Sequence, residues 1–457
     1  MKDRHGLLTA PVSSPSNVAV RKSAPVVSHT QLKSTALIAL GFMTWWVALC
    51  NAASVISAGE QITISAGEQV TLHSEILGED RTVFVAVPAT YRSGAERYPL
   101  LYLTDAQWNF EQARASIQYL ARNQIIPEMI VVGVVNRDRT RDLYATRADF
   151  RNGDRVIPFP TSGNADRFLE FVAKELIPWT EKTYRTSELR VLAGHSAGGN
   201  FALHAIRLKP ELFQAVMVAS PWLAWDDHKE LNQLLPFVRS TRLRLRALFV
   251  SWADEGAEMR ADVDALTTAL TSRTDASLRW RSAHYPDETH DSTGIKSYYD
   301  GLRMIFAGYN YPRDPKTNRL AGSLDEVKSH FAKLGEQLGV PLGPPEGIVN
   351  ELGYQHLHTG RSELAVAAFR FNTEQHPQSA NAWDSLAEGL EGRGEVAEAL
   401  AAYRKAVALA EAHHLPNVEA FRKHLLRLET IHKQKPPSSP AASRVLTADE
   451  SVNVHSV

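Results

Sequence analysis

Residues 191–200, VLAGHSAGGN, join an apolar strand end, a glycine-flanked serine and a run of small residues that leads into an amphipathic segment. The serine is Ser196, and Gly194 and Gly198 place it in a G-x-S-x-G motif. This motif requires a strand, a tight turn and a helix, and the flanking glycines remove the Cβ atoms that would clash in the turn. The turn exposes the serine hydroxyl beside a helix N-terminus, where the Ala197 amide can help to hold an oxyanion. The stretch therefore predicts a serine nucleophile at a strand-to-helix turn.

The chain around the motif alternates short apolar runs with segments of helical spacing. The runs rich in Val, Leu and Tyr that we interpret as strands are TVFVAVP, PLLYLT, MIVVGVV, RVLAG, AVMVAS, RALFVSW and LRWRSAHY. This alternation predicts an α/β fold with a mostly parallel sheet that is covered by helices on both faces. Residues 136–164 are rich in Pro, Gly and Arg and lack a period, so we expect a long loop that overhangs a site.

Composition limits the classes of function. The 457 residues contain 50 Lys and Arg against 51 Asp and Glu, and this balance gives no basic field that would attract nucleic acid. Cys50 is the only cysteine and lies in an apolar N-terminal stretch, so we expect no disulfide, thiolate metal site or cysteine nucleophile in the folded part.

The N-terminal region predicts export. Residues 1–34 carry basic residues without a period and are expected to be disordered, and residues 35–54 form a charge-free apolar run typical of a signal peptide or a membrane anchor. Cleaved and anchored forms both remain open, and a buried first helix is the alternative. The catalytic domain is expected outside the cytoplasm, in the periplasm or held at the membrane. A tandem duplication, ISAGEQIT and ISAGEQVT at 56–71, is interpreted as a spacer before the first strand.

The C-terminal third has a different sequence pattern, with helical segments and a repeat instead of alternating strands and helices. Residues 316–343 include a capping box, Ser323 with Glu326, and predict a connecting helix and linker. Residues 344–432 show a period of 34 that is typical of tetratricopeptide repeats. The matched pairs are Leu352 and Leu386, Gly360 and Gly394, Ala365 and Ala399, and Phe369 and Tyr403. The repeats are either a groove for a protein partner or a structural buttress, and the tail 433–457 is expected to be disordered.

A nucleophilic serine needs a base and an acid. In sheets of this kind the histidine follows the last strand, and LRWRSAHYPDETH offers His284 within the strand pattern and His290 on the loop beyond it. We therefore expect His290 to be the base. The acid is expected after the strand LRALFVSW, in VSWADEGAEMR at 250–260, where Asp254 and Glu255 both fit the pattern. Three further acids, Glu258, Asp262 and Asp264, are explained by the N-terminus of the following helix.

These motifs together resemble a known family. The runs YPLLYLTDAQWNF, IPEMIVVGVVNRDRTRDL, VLAGHSAGG, WADEGAEM, HYPDETH and YDGLRMIF, followed by the repeats, are similar to the putative esterase family of α/β hydrolases. Within it they resemble the siderophore-esterase-like branch that includes enterobactin hydrolases. The resemblance covers residues 65–410 and implies an α/β-hydrolase catalytic domain at 55–315. It places the nucleophile on Ser196, the histidine on His290 and the acid on Glu255, with Asp254 as the alternative.

The resemblance also implies an oxyanion hole. The family forms its second donor after a D-G turn, which here is Asp105-Ala106, so that Gln107 supplies the amide beside that of Ala197. In NRDRTRDL, either Arg139 or Arg141 could hold an anionic substrate group, and an ion-paired loop is the alternative.

The sequence thus predicts an exported serine esterase that acts on a small-molecule carboxylic ester, such as a siderophore-like or acyl-sugar ester. An acyl transferase on the same fold is one alternative. A tetratricopeptide interaction scaffold with an inactive hydrolase domain is another. No cofactor, metal or nucleic-acid partner is implied.

Overall fold

The computed structural model describes residues 67–92, 94, 96–152, 155–240 and 242–434. The predicted signal peptide or anchor at 35–54, the segment before it and nearly all of the C-terminal tail lie outside these residues. Among the described residues, no helix combines the length and apolarity needed to cross a bilayer.

The secondary structure alternates between strands and helices up to about residue 305 and is helical beyond it. The strands are β1 (Glu68–Ser74), β2 (Glu79–Ala86), β3 (Tyr98–Leu103), β4 (Ile130–Val134), β5 (Phe150–Asn152), β6 (Arg155–Ile157), β7 (Thr186–His195), β8 (Ala215–Ala219), β9 (Ala247–Ala253) and β10 (Arg279–Tyr285). The helices of the first part are α1 (Ala106–Arg122), α2 (Arg139–Leu143), α3 (Ala165–Phe171), α4 (Ile177–Thr183), α5 (Ala197–Leu208), α6 (Trp225–Arg239), α7 (Ala257–Thr271) and α8 (Thr293–Ile305). Those of the second part are α9 (Leu324–Leu338), α10 (Glu346–His358), α11 (Ser362–Gln375), α12 (Ala380–Gly392), α13 (Val396–Ala412) and α14 (Val418–Gln434).

The main sheet has eight strands in the order β1-β2-β4-β3-β7-β8-β9-β10. Strand β2 is antiparallel to β1 and β4, and every pair from β4 onward is parallel. The predicted mostly parallel sheet is therefore confirmed. Since parallel strands end at one edge, the segments that follow β3, β7, β8, β9 and β10 meet there.

Helices cover both faces of the sheet, as predicted. One apolar cluster packs α3 to α7 against one face, with Phe168, Phe201 and Leu266 fully buried. A second cluster packs α1, α8 and α9 against the other face and includes Phe331. The capping box of Ser323 and Glu326 is formed at the start of α9. Helix α9 is thus one layer of the core of the sheet domain as well as a connection to the last helices.

Helices α10 to α13 form two hairpins, and each helix start recurs 34 residues later, from 346 to 380 and from 362 to 396. The turns end in Gly360 and Gly394, whose φ angles of 73° and 78° favour glycine. Helix α10 also contributes Ile348 and Leu352 to the core of the sheet domain. The arrangement matches the spacing of the predicted tetratricopeptide repeats, whose assignment stays a prediction.

Two expectations about irregular segments were wrong in part. The loop predicted at 136–164 contains α2 and the hairpin of β5 and β6, which are too short to show a period. The spacer predicted at 56–71 ends in β1, because Glu68 already pairs with Val85 of β2. Strand β1 lies at the sheet edge and is mostly exposed, so the sequence has no apolar run there.

Candidate active site

Ser196 lies in a strained turn between β7 and α5, with φ 59° and ψ −119°. Its amide donates a hydrogen bond to the Ala219 carbonyl of β8 at 2.9 Å. A Cβ atom on Gly194 would lie 2.0 Å from the Gly198 carbonyl oxygen, and one on Gly198 would lie 2.2 Å from Thr104 Oγ1. Both glycines are therefore required by close approach, as the motif predicts.

His290 lies on the loop after β10 and reaches the serine. Its Nε2 is 2.9 Å from Ser196 Oγ. The other predicted histidine candidate, His284, is within β10 and stacks on Trp252, with ring centroids 5.3 Å apart. The loop brings His290 to Ser196 and leaves His284 in the strand.

Glu255 meets the far side of the same imidazole. Its Oε2 hydrogen-bonds His290 Nδ1, and its Oε1 accepts hydrogen bonds from Ser220 Oγ at 2.5 Å and from the Ala253 amide at 2.9 Å. The Glu255 side chain is 8% exposed, whereas Asp254 is exposed. The structure therefore brings Glu255, and not Asp254, to His290.

The hydrogen bonds around Glu255 fix its charge. Burial raises the pKa of this carboxyl, but hydrogen bonds from His290, Ser220 and the Ala253 amide outweigh burial and lower the pKa to about 2. The carboxylate is thus ionised at neutral pH and favours a proton on His290 Nδ1. In that tautomer Nε2 is free to accept the proton of Ser196.

The two predicted oxyanion donors lie at helix N-termini. Ala197 is the first residue of α5 and Gln107 the second residue of α1, and among the described residues neither amide donates to a protein acceptor. The side chain of Gln107 is paired with the main chain of Asn136, at 3.2 and 3.3 Å. Asp105 takes the left-handed conformation that caps α1, with φ 53° and ψ 45°, so the turn forms without a glycine after it.

The two arginines that were candidates for a substrate anion are both ion-paired. Arg139 donates Nε and one terminal nitrogen to the buried carboxylate of Asp105, at 2.9 and 3.0 Å. Arg141 pairs with Glu79 and Asp142. The ion-paired alternative therefore describes both residues, and Arg139 holds the turn that precedes Gln107.

Sequence reasoning missed three residues that support the loop of His290. The His290 carbonyl accepts hydrogen bonds from His195 Nε2 at 2.7 Å and from Thr293 Oγ1 at 3.1 Å, and Ser220 holds Glu255. Burial and the neighbouring His290 lower the pKa of His195 to about 4, so its ring is neutral at pH 7. Ser220 directly follows β8, and its position at the carboxyl end of a strand is the signal that could have indicated it.

The mostly parallel sheet and the strand, turn and helix around Ser196 are those of the α/β-hydrolase fold. Residues 74–275 match the family model described as putative esterase. The chain resembles that family over these residues, which make up less than half of its length.

Two similar proteins carry siderophore-related names. The chain is 30% identical over 179 residues to the ferri-bacillibactin esterase of Bacillus subtilis, covering 36% of this chain and 62% of that protein. It is 25% identical over 273 residues to the siderophore triacetylfusarinine C esterase of Aspergillus fumigatus, covering 51% of this chain and 91% of that protein. Among solved structures, an IroE-like serine hydrolase from Shewanella oneidensis aligns with a TM-score of 0.59 at 27% identity. That alignment covers 67% of this chain and 99% of the other.

Proposed function

We propose that the chain is a serine esterase that hydrolyses carboxylic esters with Ser196 as nucleophile, His290 as base and Glu255 as the orienting acid. The observation that carries the proposal is the continuous hydrogen-bonded line from Ser196 Oγ through both ring nitrogens of His290 to Glu255. In serine hydrolases this order of groups activates the hydroxyl and stabilises the imidazolium that forms.

The proposed reaction proceeds through an acyl-enzyme. Ser196 Oγ forms a bond to the ester carbonyl carbon while its proton passes to His290 Nε2, and the amides of Ala197 and Gln107 donate hydrogen bonds to the resulting oxyanion. The tetrahedral intermediate collapses, the C–O bond to the alcohol breaks, and His290 gives its proton to that oxygen. Water then adds to the acyl carbon, with its proton passing to His290, and the carboxylic acid leaves as Ser196 regains the proton.

For the substrate class we propose a siderophore-type ester that carries a ring. The names of the two relatives support the siderophore class but do not specify a ring. Aromatic side chains beside the nucleophile support it as well, because the Trp222 amide donates to the Ser196 carbonyl at 3.1 Å and its ring lies 6.1 Å from that of Phe150. The indole of Trp108 is 59% exposed and directly follows Gln107, the second predicted oxyanion donor. It adds another aromatic surface for a substrate ring.

A substrate panel tests the proposal. The purified chain is assayed on a short p-nitrophenyl ester, an acetylated sugar, a feruloyl ester and a catecholate lactone, with and without an added alcohol acceptor. We expect release of free acid from the catecholate lactone at the highest kcat/KM, and a loss of several orders of magnitude in Ser196→Ala. Ser251→Ala is the matched control, because Ser251 is buried within β9 and its hydroxyl hydrogen-bonds Ser297 and the Val218 carbonyl instead of His290 or Glu255. Preferred transfer to the alcohol would replace the hydrolase by an acyl transferase.

We also propose that the catalytic domain is exported and that the last helices are a buttress. The charge-free run at 35–54 supports export, and a reporter fused after residue 70 should be active outside the cytoplasm. The packing of Ile348 and Leu352 in the hydrolase core supports the buttress. A chain that ends at residue 343 should therefore unfold at a lower temperature than the full chain.

A further inference from the structure

The sheet domain and the C-terminal helices line an open cavity of about 1170 Å³. Three side chains with metal-ligating atoms lie in its wall: Glu96 before β3, Glu346 at the start of α10, and His376 directly after α11. One ligand atom from each residue lies within 4.8 Å of the other two. The cavity thus joins donors from the hydrolase and from the helical hairpin.

The imidazole of His376 lacks hydrogen-bond partners in this position. Its side chain is 17% exposed, and its Nε2 is buried without a hydrogen-bond partner among the described residues. Its Nδ1 lies 3.8 Å from Glu96 Oε1, which is beyond hydrogen-bond distance. The Nδ1 atom, which faces Glu96, therefore makes no hydrogen bond among the described residues and can bind a ligand, and the buried Nε2 on the other side of the ring lacks a partner as well.

The cavity also has an excess of negative charge. Its described lining contains the carboxylates of Glu96, Glu128 and Glu346 but only one arginine, Arg97, which donates to the Thr186 carbonyl. The Glu96 and Glu128 carboxylates repel one another electrostatically. A cation held between the carboxylates and His376 would offset this repulsion.

We propose that Glu96, Glu346 and His376 bind a divalent transition-metal ion, best matched by Zn²⁺, which clamps the helical hairpin to the hydrolase. An imidazole with two carboxylates suits Zn²⁺ and disfavours Mg²⁺ and Ca²⁺, which prefer oxygen ligands alone. Adjacent ligand atoms of a tetrahedral Zn²⁺ site lie ~3.3 Å apart, so the 3.8 Å separation closes with small side-chain shifts. Water supplies the fourth ligand.

The site has a built-in orienting contact. The side-chain amide of Asn381 donates to Glu346 Oε1 at 2.9 Å and leaves the other oxygen for a metal. The three ligands come from segments that are far apart in sequence, so they form no spacing motif. For this reason the sequence implied no metal. The clamp is structural and independent of the proposed ester hydrolysis.

The experiment uses the full chain without an affinity tag, stripped with EDTA and passed through a desalting column. Isothermal titration with ZnCl₂, metal analysis after gel filtration and thermal unfolding are then recorded. We expect one Zn²⁺ per chain and a higher Tm with Zn²⁺ than with EDTA, whereas MgCl₂ at the same concentration leaves the Tm unchanged.

Variants identify the ligands. Glu96→Gln, Glu346→Gln and His376→Ala should each weaken Zn²⁺ binding at least tenfold and abolish the Tm rise. His432→Ala, on an exposed turn of α14, should bind as the wild type does. Circular dichroism in EDTA separates loss of the site from loss of the fold. No stoichiometric Zn²⁺, or wild-type binding by His376→Ala, would overturn the site, and wild-type binding by Glu96→Gln would overturn the clamp between the two parts.

Discussion

Replacement of Glu255 by Gln tests the acid of the proposed triad, because it removes the charge and changes little else in size. The Glu255 carboxylate accepts hydrogen bonds from Ser220, from the Ala253 amide and from His290 Nδ1. A Gln amide can preserve the first two through its oxygen but presents an NH₂ group to His290. The imidazole then favours the tautomer with its proton on Nε2, which cannot accept the proton of Ser196.

The size of the effect follows from the hydrogen bond that is lost. A charge-assisted hydrogen bond of this kind contributes about 2–3 kcal/mol, which corresponds to a factor of roughly 30 to 150 in rate. The tautomer change adds to this loss, so we expect kcat to fall by about a hundredfold or more. The loss should remain smaller than that of Ser196→Ala, since the nucleophile and the oxyanion donors stay in place.

The assay compares wild type, Glu255→Gln and Asp254→Asn on one p-nitrophenyl ester at one pH. Asp254 is the matched control, because it is the neighbouring acid, fits the same sequence pattern and is exposed. Its variant should lose less than about tenfold. Equal circular dichroism and a cooperative urea transition in each variant establish that all three proteins are folded. A larger loss in Asp254→Asn would refute the reasoning, and two small losses would indicate that Ser196 and His290 act as a dyad.

Further predictions concern the base, the support of its loop and the serine turn. His290→Ala should lower kcat/KM at least a thousandfold and His284→Ala less than tenfold, measured on the same ester; similar losses in both would contradict the assignment. The pKa of His195 is about 4 in the folded chain and 6.5 in the unfolded chain. As the pH falls from 6.5 to 4, His195 therefore becomes protonated in the unfolded chain before it does in the folded chain. Wild type should therefore lose up to about 3 kcal/mol of stability over this window relative to His195→Gln, measured by urea unfolding at pH 7 and pH 4. Gly198→Ala should lower stability by about 1–3 kcal/mol, since its Cβ would lie 2.2 Å from Thr104 Oγ1, and an unchanged urea midpoint would argue against the close contact.

The sheet could be predicted because buried parallel strands read as continuous apolar runs. Strand β3 is buried at every residue, and its sequence YPLLYL has an unbroken apolar core. Strand β1 and the hairpin of β5 and β6 could not be predicted, because β1 is mostly exposed at the sheet edge and β5 and β6 have only three residues each. The hydrophobic pattern of a sequence reflects which residues are buried, so short or exposed elements cannot be recognised from it.

The sequence predicts which strand ends carry the site residues, but it does not decide between neighbouring residues at one strand end. The strand-turn-helix around Ser196 and the loop that carries His290 follow from local sequence. The choice between Asp254 and Glu255 does not, because it depends on Ser220, which lies 35 residues away and holds one oxygen of Glu255. Contacts of this kind are set by the register of neighbouring strands and not by the residues beside the acid.

Covalent labelling of the native chain with a fluorophosphonate, followed by mass spectrometry of the peptides, tests the central claim most directly. The account predicts one adduct per chain on Ser196, with labelling absent in Ser196→Ala and strongly slowed in His290→Ala. An adduct on another serine, or no adduct on a folded chain that still hydrolyses esters, would contradict it.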